Sequence, residues 1–258
     1  MYVRSDAIVI GRRPFRNTSL VLECYTRRAG HVMTLAKGAF RRRRKAEPPS
    51  VPDLFARGET VLWLGPRRDY AVLAEWSLDD MRAGLRCNYD AFKAAAGCAA
   101  LVSALARDGD RAGEHFEALD GALGELDSGG APRPVMWAFV LKALLRAGFL
   151  APPGECASCG EPFADGRREA TALFAGLGGL VCRKCLGAHR QMPPEHGGGS
   201  VATLPPEAAS ALRFLASSPP GAAGRLRTGP RAAAALERAV RLLAEYHVER
   251  HMPALSPD

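Results

Sequence analysis

Ser19-Leu20-Val21-Leu22-Glu23-Cys24-Tyr25-Thr26, a break at Arg28-Ala29-Gly30, then His31-Val32-Met33-Thr34-Leu35-Ala36-Lys37: the fold is decided in these residues. Both runs are rich in β-branched and apolar side chains, and turn residues separate them, so they read as two strands of a hairpin. Working outward, Val3 to Ile10 is a third strand, leading to a turn around Pro14-Phe15-Arg16-Asn17. Thr60 to Leu64 and Tyr70 to Trp76 form another pair around Gly65-Pro66-Arg67-Arg68-Asp69. Five short antiparallel strands with no helix among them predict a small closed barrel, because closure removes exposed edges. The expected type is an OB barrel over residues 1–78, with an SH3-like barrel as the rival.

After Asn88 the hydrophobic period changes to that of a helix. Tyr89 to Ala106 carries Phe92, Cys98, Leu101, Val102 and Leu105 on one face, and Glu114 to Leu126 carries Phe116, Leu119 and Leu123. Arg133 to Phe149 is apolar on most sides. Pro205 to Ser217 and Pro230 to Arg250 are further helices, the last with a stripe of Leu236, Val240, Leu243 and His247. Pro230 suits a first helical turn, where its missing N–H costs nothing. The expected class is α+β. A barrel precedes a helical domain (79–150 and 203–258), into which a four-cysteine module (151–202) is inserted.

That module contains Cys156-x2-Cys159, then 22 residues, then Cys182-x2-Cys185. Two residues between thiolates let both reach one tetrahedral ion from a tight turn, at about 2.3 Å from sulfur to zinc. Gly176, Gly178 and Gly179 suit a hairpin returning to the second pair, and Arg183 and Lys184 offset the charge of four thiolates. Four cysteines fill the coordination sphere, so one structural Zn2+ is expected and no open catalytic position. Cys24, Cys87 and Cys98 lie in apolar contexts and read as small core residues.

Charge separates the barrel from the rest. Of a net +8, residues 1–45 hold 12 basic and 2 acidic side chains, while the other 213 residues are net −2. Such asymmetry points to a polyanionic partner. Arg41-Arg42-Arg43-Arg44-Lys45 is a run of five adjacent cations that repel one another and cannot enter a core. With Lys37 it is the candidate phosphate-binding segment. Arg12, Arg13, Arg16, Arg27 and Arg28 fall at turns and are expected to widen the patch, with Phe15, Tyr25 and Phe40 as candidate stacking platforms. Phosphate contacts plus stacking predict binding that tolerates any base sequence.

No apolar run reaches the roughly 18 residues of a membrane span, and Arg4, Asp6, Arg12 and Arg13 interrupt any secretory h-region, so a cytoplasmic protein is expected. No P-loop, nucleophile elbow or dinucleotide fingerprint is present. His115-Phe116-Glu117 followed by Cys156-Ala157-Ser158-Cys159 mimics a zinc deaminase. However, Glu155 replaces the proline that pattern needs, and the second cysteine pair goes unused. A zinc-ribbon RNA-binding or regulatory protein shares the charge and the cysteines. Nucleic-acid binding without catalysis is the expectation.

The order of these pieces resembles the RecO family. Ala7-Ile8-Val9-Ile10-Gly11-Arg12 with Thr18-Ser19-Leu20-Val21-Leu22 looks like its first hairpin. Thr26-Arg27-Arg28-Ala29-Gly30-His31-Val32, then Leu35-Ala36-Lys37-Gly38-Ala39 and the basic run, is the most specific match. Gly176 to Cys182 and Tyr246-His247-Val248-Glu249-Arg250 resemble later family segments. Residues 46–60 are short and proline-rich beside the family pattern, and Pro253 and Ala254 stand where a basic residue is common. The resemblance implies binding of single- and double-stranded DNA, annealing of complementary strands and help in loading RecA onto strands coated by single-stranded-DNA-binding protein. It further implies RecR and the acidic C-terminal tail of the single-strand binder as partners, with the tail on the helical domain and RecR on the barrel side.

Overall fold

β1 (Tyr2–Phe15) is long enough to pair with two neighbours. Its first half runs antiparallel to β4 (Arg57–Trp63) and its second half antiparallel to β2 (Ser19–Thr26). A register shift between Val9 and Gly11 separates the halves. A bulge there adds the local twist that lets one strand serve both sides of a barrel. β3 (Gly30–Ala36) returns along β2, and β5 (Ala71–Asp80) joins β4 to β3, the β3–β5 pairing being parallel. Five strands in the order β1-β2-β3-β5-β4 thus close into a barrel, as expected. The structure is a computed structural model that describes residues 1–39, 51–65, 70–105, 112–163, 170–190, 201–219, 221–249, 251–252 and 255. Phe40, Arg41, Arg42, Arg43, Arg44 and Lys45 lie outside the described residues.

Burial along the strands is denser than simple alternation. Ala7, Ile8, Val9 and Ile10 are buried in succession, and so are Leu20, Val21 and Leu22. One face fills the barrel, and α2 (Tyr89–Leu105) and α3 (Ala112–Asp127) pack on the other, meeting β1, β2 and β3. The short α1 (Ala83–Cys87) leads into this pair. These helices therefore belong with the barrel in one compact unit, Met1–Ser128. By packing alone, the barrel and its covering helices share one compact unit that ends at residue 128. The reason is that the outward face of the barrel is itself apolar and needs the helices as cover.

The second unit, Gly129–Asp258, is built on α4 (Pro132–Arg146), α6 (Pro206–Ser217) and α7 (Pro230–Val248). α4 is buried continuously from Val135 to Leu141, as its unbroken apolar run requires, and Leu236, Val240 and Leu243 of α7 are buried as a stripe. β6 (Ala170–Phe174) and β7 (Gly179–Cys182) form the expected hairpin, extended by β8 (Val201–Thr203) to the order β7-β6-β8. Gly178 turns this hairpin with φ +60, and a Cβ there would sit 2.2 Å from the carbonyl oxygen of Phe149. Only glycine fits both constraints. α5 (Arg183–Arg190) begins within the second cysteine pair.

Candidate metal centre and nucleic-acid interface

The first cysteine pair sits on a tight knuckle. The Cys156 N–H donates to Glu161 O at 2.9 Å, the Gly160 N–H donates back to Cys156 O at 2.8 Å, and Gly160 takes φ +72. The second pair straddles the junction of β7 and α5, with Cys182 ending the strand and Cys185 in the first helical turn. The Ala157 N–H bonds to Leu180 O at 2.8 Å, pinning knuckle to strand. The result brings all four sulfurs within 4.8 Å of one another. Among the described residues this is the one group of three or more His, Cys, Asp or Glu side chains set to hold a metal ion.

The donor chemistry fits a dication. Burial alone would raise the Cys156 thiol, but backbone N–H groups of Cys182, Cys159 and Ser158 bring it down to about 7. The Cys182 N–H lies 3.4 Å from its sulfur. Cys185 is pushed up to about 12 by burial and by the neighbouring thiols, despite help from Ser158. Four sulfurs this close cannot all ionise without a cation among them, and a metal supplies that charge. The site's ligands are cysteine alone, with no histidine or carboxylate in the group. The deaminase pattern, which would use His115 with Cys156 and Cys159, is therefore not the arrangement formed. Ser158 Oγ also lies 3.0 Å from His189 Nε2 on α5, tying knuckle to helix behind the sulfurs.

The remaining cysteines divide. Cys24 and Cys98 are buried, and burial pushes the Cys24 thiol up to about 12. Cys87 is exposed, contrary to expectation, because it ends the short α1 on the solvent side.

The expected cationic residues fall at two ends of the barrel. At one end, Phe15 closes β1 opposite Ser19, and Arg16 makes the turn with φ +53. Leu20 faces Ala36, so Lys37 emerges beside this turn, exposed. Arg13 Nη2 donates to Tyr70 Oη at 3.2 Å, the Phe15 and Tyr70 rings stand 6.1 Å apart, and the Arg16 guanidinium lies 5.5 Å over the Phe15 ring. Ala39 and Val51, either side of the basic run, both pack against the cluster of Val9, Leu20, Leu22, Cys24 and Ala36.

Arg27 and Arg28 are elsewhere. They turn β2 into β3 at the far end of β2, about 23 Å from Ser19 at about 3.3 Å per residue. Arg27 is also occupied: it pairs with Asp6 at 2.8 Å and with Glu117, and its guanidinium lies 4.6 Å from the Phe116 ring. It ties the barrel to α3. Arg28 remains exposed at that end. Arg12 lies on β1, exposed but paired with Asp53, whose carboxylate also accepts from Arg86 at 2.6 Å. Tyr25 is 2% exposed and belongs to the core, so its ring is closed to a base. Its place in β2 made it look like a platform, yet both faces of that strand are covered.

Comparison with known proteins decides the family. Residues 1–81 match the family described as Recombination protein O N terminal, and residues 86–256 match Recombination protein O C terminal. The chain belongs to the RecO family. It is 32% identical to the DNA repair protein RecO of Rubrobacter xylanophilus, over 97% of this chain and 92% of that protein. It is 28% identical to the protein of that name from Roseiflexus, over 98% of this chain and 83% of the relative. For the one from Nocardioides the identity is 27%, over 99% and 98%. RecO membership makes this a DNA repair protein, and among the described residues no helix is long and apolar enough to cross a membrane.

Two residues of this RecO chain that sequence reasoning passed over are Tyr70 and Asp53. Tyr70 begins what reads as an ordinary strand, and only closure of the barrel brings it to Phe15. Asp53 stands just past the proline-rich segment, with no spacing that ties it to Arg12 or Arg86.

Proposed function

We propose that this protein is a recombination mediator that works by binding and not by catalysis. It holds single- and double-stranded DNA without regard to sequence, anneals complementary strands, and acts with RecR to load RecA onto strands coated by single-stranded-DNA-binding protein, whose C-terminal tail it engages. The observation that carries this reading is the barrel end formed by Arg13, Phe15, Arg16, Lys37 and Tyr70; in sequence the run Arg41–Lys45 begins two residues after Ala39. An OB-type barrel uses its β1–β2 and β4–β5 connections for oligonucleotides. Phe15 and Arg16 flank the first of these connections and Tyr70 the second.

Annealing needs no acid, base or nucleophile. Its barrier is repulsion between two phosphate chains, and a cationic surface lowers that barrier by displacing counterions. The metal plays no part in this step. Zn2+ suits the all-cysteine site, and Cys156, Cys159, Cys182 and Cys185 hold it as a brace between the knuckle and α5. The protein works in the cytoplasm, at the nucleoid.

The test is annealing of complementary oligonucleotides, each coated with the cognate single-strand binder. Faster annealing with this protein is the expected result. No acceleration on coated strands, together with no affinity for bare ones, would overturn the reading.

A further inference from the structure

The barrel end carries two aromatic rings, Phe15 and Tyr70. Phe15 and Tyr70 are each only partly buried, at the ends of strands that are not neighbours in sequence. Their rings are tilted by 48° at 6.1 Å, with Arg13 bonded to Tyr70 and the Arg16 guanidinium 5.5 Å over the Phe15 ring. Arg16 adopts a left-handed backbone to make this turn, a conformation costly for a residue with a side chain. Arg13 is bonded to the Tyr70 hydroxyl, so the cation and the ring are held together.

From this juxtaposition we infer that Phe15 and Tyr70 form a stacking site for unpaired nucleobases, with Arg13 and Arg16 on the flanking phosphates. The inference rests on the DNA-binding reading above and deepens it. It divides the labour between two kinds of contact. Cations bind any phosphate chain, paired or not. A ring face accepts a base only when that base is unstacked from its neighbours, as in a single strand. This pair therefore supplies a preference for single strands that charge alone cannot give. A base on an aromatic face is bound without regard to which base it is.

The experiment uses the full-length protein and two strands of equal length and charge, oligo-dT and the same strand with abasic sites throughout. The native protein is expected to bind oligo-dT roughly 5- to 100-fold more tightly than the abasic strand. The double variant Phe15→Leu, Tyr70→Leu should lose that ratio while keeping its affinity for the abasic strand and for duplex. Kept affinity for those two also reports that the barrel is folded. As an independent readout, Tyr70→Trp should be quenched by oligo-dT beyond the parent protein's own tryptophans, and not by the abasic strand. Equal binding of both strands by the native protein overturns this inference alone. A double variant that retains the ratio does the same. Failure of the native protein to bind either strand overturns the DNA-binding reading and this inference together.

Discussion

Arg82, 2% exposed, donates its Nη2 to the carboxylate of Asp120. The pair links the end of β5 to the middle of α3, across the point where strand structure gives way to helix. Arg82 takes φ +48 as it enters α1, and Asp120 accepts a second guanidinium, Arg57 of β4, at 2.8 Å. One carboxylate thus ties the barrel and its covering helices into a single unit. Burial lowers the Arg82 pKa, and Asp120 opposes that effect.

Removal of Asp120 takes away the carboxylate that Arg82 bonds directly, leaving the buried guanidinium with only the weaker influence of Asp80 and Asp127. Asp120→Ala is expected to destabilise the first unit by about 3–5 kcal/mol, the usual consequence of breaking one side of a buried pair. Denaturant unfolding followed by circular dichroism measures this. A loss below about 1 kcal/mol would mean that Arg82 is satisfied by other groups.

Metal analysis of the purified protein should return about one zinc per chain. Cys182→Ser should abolish that zinc and lower the unfolding temperature, since metal binding to such a site contributes directly to folding. Cys87→Ser, at an exposed position, should change stability by no more than about 0.5 kcal/mol and leave the zinc content intact. Equal behaviour of the two variants would refute the assignment of ligands.

Neutralising Arg41 to Lys45 should weaken DNA binding and flatten its salt dependence, by roughly 0.7 in slope for each single-strand phosphate no longer neutralised. The opposite is expected of Asp53→Asn. That change releases Arg12 and Arg86 from their shared carboxylate, so affinity at low salt should rise a few-fold and the slope should steepen. Titrations at several salt concentrations separate these outcomes. An unchanged slope in either variant would remove its cations from the interface.

His247 gives the second unit a pH dependence. Its ring stacks on Phe149 at 5.0 Å, and among the described residues its Nε2 has no hydrogen-bond partner. Burial holds its pKa below the ordinary histidine value, although the backbone at Ala175 acts the other way. The folded protein therefore binds this proton more weakly than the unfolded chain. The contribution is complete above about pH 6.5 and is lost as pH falls from there toward the folded-state value. Unfolding midpoints between pH 8 and pH 5 should decline less steeply in His247→Gln. Parallel curves for the two proteins would contradict this.

Much of the architecture was legible in local pattern. The barrel strands, the long helices and the four sulfur ligands all rest on spacing within short segments, and spacing within a segment is set by backbone geometry that the sequence carries with it. Length was less legible. β1 runs on to Phe15 and β5 to Asp80, beyond their apolar cores, because pairing with neighbours extends a strand past its own propensity. β8, only three residues long, has no pattern of its own and exists because β6 offers it an edge.

The sequence by itself determined which segments are strands or helices, which four cysteines could share one ion, and that the positive charge is concentrated in the first 45 residues. Tertiary structure alone decided where those charges point. Periodicity reports that a face is buried, but not what covers it, and so Tyr25 reads like Phe15 until α2 and α3 close over the barrel. Distance along the chain likewise says nothing of distance across a closed sheet. Strand pairing sends Arg27 and Arg28 to the far end and brings Tyr70 to Phe15.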